Sequence, residues 1–170
     1  MATLSKSERP QITLPLQSLD YLLEILAGLG LLALLGLAGF YFGQLPEQIP
    51  THFGIDGRPN AFGAKTMLWL LPVLGTVLYV FMSLINRRPD RFNYTVKITP
   101  ENAEVQYKLA TRLIRVMKAL LLLLFSFLLW RTIQIANNEV TELGVWLLPT
   151  LLLATLGSLF FYISRSVAHK

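Results

Sequence analysis

The chain has 170 residues, of which 54% are hydrophobic, with 15 lysines and arginines against 10 acidic residues. A mean hydropathy of +0.52 is too apolar for a soluble domain of this length, so composition indicates a membrane protein. The chain has no cysteine, which excludes disulfides and thiol chemistry. The net charge of +5 fits residues that set membrane topology, and nucleic-acid binding is not expected.

The N-terminal segment, residues 1–18, is polar and contains Pro10 and Pro15, which predicts a cytoplasmic tail rather than a signal peptide. Residues 19–170 are predicted to form a single domain with four membrane spans. Each span is about twenty residues or longer, the length that crosses a hydrocarbon core. The predicted helices cover about 21–43, 66–86, 100–135 and 143–165, with connecting loops at 44–65 and 87–99.

Glycines recur along one face of the first span. Gly28, Gly36, Gly39 and Gly43, with Leu32 between the first two, are spaced by four, four, three and four residues. Small residues on one face let another helix backbone approach closely in a membrane. The stripe therefore predicts helix packing, either within one chain or between two copies of a homo-oligomer.

The loop at 44–65 is the predicted functional region, because polar groups of varied chemistry converge in it. Asp56-Gly57 is typical of a tight turn, and several apolar residues of the loop can pack against the helix ends. The candidate ligand- or partner-binding residues are His52, Phe53, Asp56, Arg58, Asn60 and Lys65. Too few His, Cys or carboxylate ligands are present locally for zinc, so no metal site and no cofactor are expected.

The segment between the second and third spans is basic, which by the positive-inside rule places it and both termini in the cytoplasm. The aromatic residues Tyr41, Trp69, Trp130 and Trp146 then fall at the outer membrane–water boundary.

In residues 92–98, side chains alternate between the two sides as they would in a short strand. Thr99-Pro100 predicts a helix start.

The long third helix carries cations that share a face near its start. Lys108, Arg112, Arg115 and Lys118 are predicted to extend toward the headgroups of anionic lipids.

The tetrapeptide Trp69-Leu-Leu-Pro72 recurs as Trp146-Leu-Leu-Pro149, near the start of the second and fourth spans. Each proline is expected in the first turns of its helix.

The loop carries a resemblance to a known family. Leu45-Pro46, Ile49-Pro50, His52-Phe53, Gly57-x-Pro59 and Lys65, followed by an apolar helix, resemble the bacterial membrane domain of unknown function 1648 (DUF1648). That domain also forms the first part of SdpI-type toxin-immunity proteins, and the resemblance covers roughly residues 21 to 87. It implies a multi-pass protein of the bacterial inner membrane, and, for SdpI-like members, protection against an antimicrobial peptide. The chain lacks a recognisable second SdpI half.

The predicted fold class is all-α: an integral membrane four-helix bundle with both termini cytoplasmic and an ordered extracytoplasmic loop between the first two helices. The predicted function is non-enzymatic binding of a peptide, lipid or protein partner through that loop, with the bilayer and its anionic lipids as further partners. Transport of an apolar or lipid-like substrate is one alternative, although the span cores offer no ionisable group for ion coupling. A small interfacial enzyme is the other, without a nucleophile motif or a paired-carboxylate arrangement to support it.

Overall fold

A computed structural model describes residues 6, 8–144 and 146–170. The main elements are α1 (Ser18–Tyr41), β1 (Gln48–Phe53), β2 (Pro59–Ala64), α2 (Leu70–Ile85), α3 (Ala103–Ala136) and α4 (Leu147–Ala168), with short 3₁₀ helices at Lys65–Trp69 and Pro89–Arg91. Within the described ranges, four helices are long and apolar enough to cross a membrane: Ser18–Tyr41, Lys65–Ile85, Ala103–Ala136 and Pro149–Ala168. The prediction of four helices with the length and composition of membrane spans is confirmed.

The longest helix, α3, is the centre of the bundle and contacts α1, α2 and α4. Large apolar side chains on α1, α2 and α4 remain exposed, among them Leu32, Phe81 and Phe160. In water such surfaces favour aggregation, whereas in a bilayer they match the lipid tails. Trp69 and Trp146 directly precede α2 and α4, so each repeated proline stands in the first turn of its helix, as predicted.

The face of α1 that packs is not the glycine stripe. Residues 23, 27, 30, 34 and 38 are buried, at helical spacing, together with Asp20. A Cβ added at a glycine of the stripe would meet no neighbouring atom within 4 Å, at Gly28, Gly36, Gly39 or Gly43. Of the two alternatives left open by the sequence, packing within the chain is therefore not supported by the structure. Packing between two copies stays a prediction.

Gly30 makes the close approach instead. A Cβ at this position would lie 3.1 Å from the backbone carbon of Leu122 on α3. The hydroxyl of Ser126, one turn further along α3, donates to the Gly30 carbonyl at 2.6 Å. The small residue and the interhelical hydrogen bond together draw the two backbones into contact.

The loop between α1 and α2 contains a β-hairpin, so the fold is mostly helical and the all-α prediction is wrong in this region. The strands β1 and β2 are antiparallel, pairing Gln48 with Ala64 at one end and Phe53 with Pro59 at the other. Gly57 has a φ of +78° in the predicted tight turn, a conformation that favours glycine. Prolines at positions 50 and 59 conceal the strands, because proline removes a ladder donor and signals a loop.

At the opposite end, residues 92–98 do not form the predicted strand. Arg9 donates to the Phe92 carbonyl at 2.7 Å, and the Tyr94 hydroxyl donates to the Pro89 carbonyl at 2.9 Å. The Tyr94 ring stacks on Tyr107 of α3, and burial raises the pKa of the Tyr94 hydroxyl. A lone strand has no ladder partner, so these side-chain contacts fix the segment instead.

Two local contacts complete this end. The Arg88 guanidinium donates to Asp90 at 3.0 Å and holds the pKa of that carboxyl below its usual range. The predicted helix start is displaced by three residues, since α3 begins at Ala103. Thr99 and Asn102 cap each other: each side-chain oxygen accepts from the other's backbone N–H, at 3.4 and 2.9 Å.

Replacing Gly30 with valine tests the α1–α3 contact. The branched side chain must displace the backbone of Leu122, so we expect a loss of about 1–3 kcal/mol in the free energy of unfolding, as for an overpacked core. Reversible unfolding in bicelles measures it. Gly36→Val is the matched control, because it faces open space on the same helix. If Gly36→Val were the more damaging variant, the assignment of the packed face would be wrong.

Candidate functional site

The hairpin is fixed to the bundle by apolar contacts. Ile49 of β1, which is 1% exposed, belongs to one buried cluster with Leu34, Leu68, Leu129 and Ile133. These residues come from α1, the 3₁₀ helix before α2, and the last turns of α3. The hairpin therefore stands as a cap over the end of the bundle at which α1 and α3 finish.

An apolar cavity of about 200 Å³ lies between β1 and the ends of α2 and α3. We name it the hairpin cavity, and its walls include Ile49, Pro50, Phe53, Leu71, Leu128 and Leu129. Thr51 and Thr132 are the lining residues with polar side chains. The Thr132 hydroxyl donates to the Leu128 carbonyl at 2.8 Å, so it is already satisfied within its helix. The cavity thus suits an apolar group rather than a charged one.

Of the six predicted loop residues, Phe53 lines the hairpin cavity. Nδ1 of His52 lies 2.6 Å from Oδ1 of Asn60 across the two strands. The Asp56 carboxylate accepts from the Arg58 N–H at 3.1 Å, which stabilises the turn. The polar residues are thus mainly engaged in hairpin geometry and do not converge on one pocket. Their binding role stays a prediction.

Lys65 closes the base of the hairpin. Its backbone N–H donates to the Glu47 carbonyl at 2.9 Å, and its ammonium lies 2.8 Å from the Glu47 carboxylate. The ammonium also lies 5.6 Å from the centre of the Phe42 ring. Within the described residues, no group of three His, Cys or carboxylate side chains is placed to hold a metal ion.

The connection between α3 and α4 contacts the hairpin turn, which the sequence did not reveal. The Leu143 N–H donates to the Gly57 carbonyl at 2.9 Å, and Arg58 lies 3.9 Å from Glu142. Arg131 donates to the Glu142 carbonyl from the end of α3. Apart from Thr132, the missed cavity residues on α2 and α3 are leucines in spans rich in leucine, so no local signal distinguishes them.

A cluster of ion-paired side chains lies in the opposite half of the bundle. We name it the α1–α3 charge network, and its members are Asp20, Glu24, Arg112, Arg115 and Lys118. Arg112 donates to both Asp20 oxygens, at 3.0 and 3.2 Å. Arg115 reaches both carboxylates, at 3.7 Å from Asp20 and 3.3 Å from Glu24. The acids are four residues apart on α1 and so face α3 together.

Lys118 is the most enclosed member, with a side chain that is 1% exposed. It donates to Glu24 at 2.7 Å and to the Ser83 hydroxyl of α2 at 2.9 Å, and lies 4.8 Å from the centre of the Tyr79 ring. The prediction that Lys118 contacts lipid headgroups is therefore wrong, because carboxylate partners draw it into the helix interface. Lipid contact by Lys108, Arg112 and Arg115 stays a prediction.

Comparison with known proteins matches part of the chain to a family model. Residues 29–76 match a family model described as Domain of unknown function (DUF1648), which confirms the resemblance for that part of the chain. Its range contains the second half of α1, the hairpin and the first turns of α2. A stretch of 60 residues is 37% identical to an uncharacterized protein of Archaeoglobus fulgidus, over 31% of this chain and 33% of that protein. The match thus spans about a third of the relative's length. No solved structure gave a significant match.

Removing the Lys118 ammonium tests the charge network. Lys118→Ala leaves the Glu24 carboxylate without its closest partner, so we expect a loss of about 3 kcal/mol in the free energy of unfolding. The double variant Glu24→Gln, Lys118→Met removes both charges and should recover part of this loss. Unfolding in bicelles is the measurement, with exposed Lys97→Ala as control. Equal stability of Lys118→Ala and Lys97→Ala would contradict the role assigned to the network.

Proposed function

We propose that this chain is a non-enzymatic multi-pass membrane protein that binds a peptide partner through its hairpin cap. The observation that carries the proposal is the hairpin cavity, an apolar recess of about 200 Å³ at the end of the bundle. The partner inserts one apolar side chain into this recess. The exposed residues of the hairpin then contact the rest of the peptide.

The size of the cavity supports a single anchoring group. An apolar cavity of about 150 Å³ holds a benzene molecule, whereas drug-sized ligands occupy about 300–1,000 Å³. The hairpin cavity, at about 200 Å³, lies between these values and fits one aromatic or branched aliphatic side chain. Buried apolar anchors of this kind contribute most of the energy in many protein interfaces.

Exposed groups around the cavity suit a peptide that runs along the hairpin. Ile55 at the turn is fully exposed, and Phe62 on β2 is 59% exposed. Among the described residues β2 pairs with β1 alone, so its outer edge has no strand partner. An unpaired edge offers backbone hydrogen bonds to an extended segment. His52, Asp56, Arg58, Asn60 and Lys65 provide a polar border.

The charge distribution supports an extracytoplasmic position of the hairpin, and the family resemblance implies that the membrane is the bacterial inner membrane. Arg87, Arg88, Arg91 and Lys97 lie at the opposite end from the hairpin, which the positive-inside rule assigns to the cytoplasm together with both termini. A peptide arriving from outside then meets the hairpin first. This arrangement agrees with the SdpI-like immunity or signalling role that the loop motif implies.

Two arguments support a non-enzymatic role. The Ser83 hydroxyl and the Lys118 ammonium, 2.9 Å apart, resemble a nucleophile and its base. Lys118, however, donates to the Ser83 hydroxyl and, at 2.7 Å, to Glu24. A base has to accept the proton of the nucleophile, so this geometry is not that of an activated serine. At the hairpin, the His52 ring is hydrogen-bonded to the Asn60 side chain. Among its described contacts there is no serine or other nucleophile that it could activate.

Transport is a second candidate, favoured by the enclosed Lys118. From the sequence, the cores of the spans offered no ionisable group, which argued against ion coupling. In the structure, however, Lys118 contacts Glu24 and Ser83, and these side chains form a polar cluster between α1, α2 and α3. Ionisable residues within a bundle often mark ion or proton pathways. A proton flux in proteoliposomes that Lys118→Met abolished would favour transport over peptide binding.

A cavity-filling substitution tests the proposed function. Leu128 lines the hairpin cavity, so Leu128→Trp should weaken binding of a short glycine–serine peptide with one central phenylalanine by about tenfold, or about 1.4 kcal/mol. Leu123→Trp is the control, because Leu123 is exposed on the same helix. Titration of the protein in nanodiscs measures the affinity.

The competing outcomes are distinct. Equal binding to both variants, or no binding to the wild-type protein, would overturn the proposal. A tightly held lipid that Leu128→Trp displaces and the peptide does not would assign the cavity to an acyl chain instead.

A further inference from the structure

Two adjoining grooves lie at the end of the bundle opposite the hairpin, where α1 and α3 begin and α4 ends. The polar groove, of about 220 Å³, is lined by Gln17, Glu104, Lys108, Arg112, Arg165 and His169. The apolar groove, of about 120 Å³, is lined by Leu19, Leu113, Val116, Phe161 and Tyr162. Leu109 and Arg112 line both, so the two grooves form one continuous surface.

The polar groove has an excess of positive charge. Lys108 and Arg165 make no ion pair with any carboxylate of the described residues. Arg112 is paired with Asp20 and also donates to Gln17 at 2.7 Å. Glu104 is the carboxylate among the lining residues and offsets one of these charges. An anionic group entering this groove would gain Lys108 and Arg165, two cations that form no ion pair with the described residues.

The apolar groove provides the second half of an amphiphile site. The hydroxyl of its one serine, Ser158, donates to the Ala154 carbonyl of its own helix at 2.7 Å, which leaves an apolar wall. Leu19 and Phe161 are 47% and 60% exposed, so the groove opens outward between α1 and α4. Because α4 packs chiefly on α3, a wedge between α1 and α4 remains unfilled by protein.

We infer that this surface binds one anionic phospholipid, with its phosphate between Lys108, Arg112 and Arg165 and an acyl chain along the apolar groove. Charge complementarity selects the headgroup. The adjoining apolar wall selects a lipid over free phosphate, since a phosphate ion gains nothing from it. The site keeps Lys108 and Arg112 of the predicted lipid-contacting set and adds Arg165 of α4. It is separate from the hairpin cavity and does not depend on the proposed function.

Native mass spectrometry of the intact protein with phosphatidylglycerol tests the site. The double variant Lys108→Gln, Arg165→Gln should bind this lipid at least fivefold more weakly than the wild-type protein, with little change for phosphatidylcholine. The charge-matched control is Arg91→Gln, Lys97→Gln, at exposed positions on the same end and outside both grooves. Lys108→Arg with Arg165→Lys should restore binding, which separates loss of charge from loss of folding.

A second variant separates lipid from phosphate. Val116→Trp fills the apolar groove, so it should weaken phosphatidylglycerol binding without removing the cations. The inference is overturned if the glutamine pair behaves like the control pair. It is also overturned if inorganic phosphate alone displaces phosphatidylglycerol and Val116→Trp has no effect, because the surface is then a phosphate site without a lipid-binding groove.

Discussion

The constraint on which the structure depends is the pairing of charges inside an otherwise apolar bundle. Lys118 is enclosed, and an ammonium without a partner in such surroundings is costly by several kcal/mol. Glu24 satisfies it only when α1 and α3 lie in one register, because a slip of one turn moves the groups about 5.4 Å apart. The same register brings Gly30 against Leu122 and places Leu34 in the buried cluster that contains Ile49 of the hairpin, so the charge pairs and the seat of the hairpin depend on one alignment of α1 and α3.

The number of spans could be predicted from the sequence, whereas the faces of the helices could not. Uncharged runs of bilayer length identify spans regardless of how they pack. Beyond Glu24 the first span is apolar on all sides, so burial of Ala27, Gly30 and Leu34 leaves no periodic contrast with polar residues. The glycine stripe was misleading because a small residue permits close packing but does not indicate whether another helix faces it.

Some features of the candidate sites could be predicted from the sequence, and others could not. The turn at Asp56-Gly57 and the family resemblance were evident in the loop, but its prolines concealed both strands. The hairpin cavity needs leucines from two distant helices, and only the tertiary structure brings these to β1. Lys118 was expected at the surface because it lies near the end of an apolar run. Its hydrogen-bond partners, Glu24 of α1 and Ser83 of α2, are distant in sequence, and they hold the Lys118 side chain inside the bundle.

The single helix α3 serves both ends of the molecule. Its last turns form a wall of the hairpin cavity, and its first turns carry Lys108 and Arg112 beside the polar groove and the apolar groove. At 34 residues and about 1.5 Å per residue it is about 50 Å long, which exceeds the thickness of the hydrocarbon core. One rigid element therefore fixes the separation between an apolar recess at one end and a basic surface at the other.

The most direct measurement of this account is an exchange of the two charges at its centre. Glu24→Lys and Lys118→Glu each place like charges together at the α1–α3 interface, so each variant alone should be strongly destabilised in bicelles. Combined, they restore an opposite pair at the same place, and the account predicts recovery with a coupling energy of about 2 kcal/mol or more. Additive losses in the double variant would contradict it, since the two side chains would then not meet.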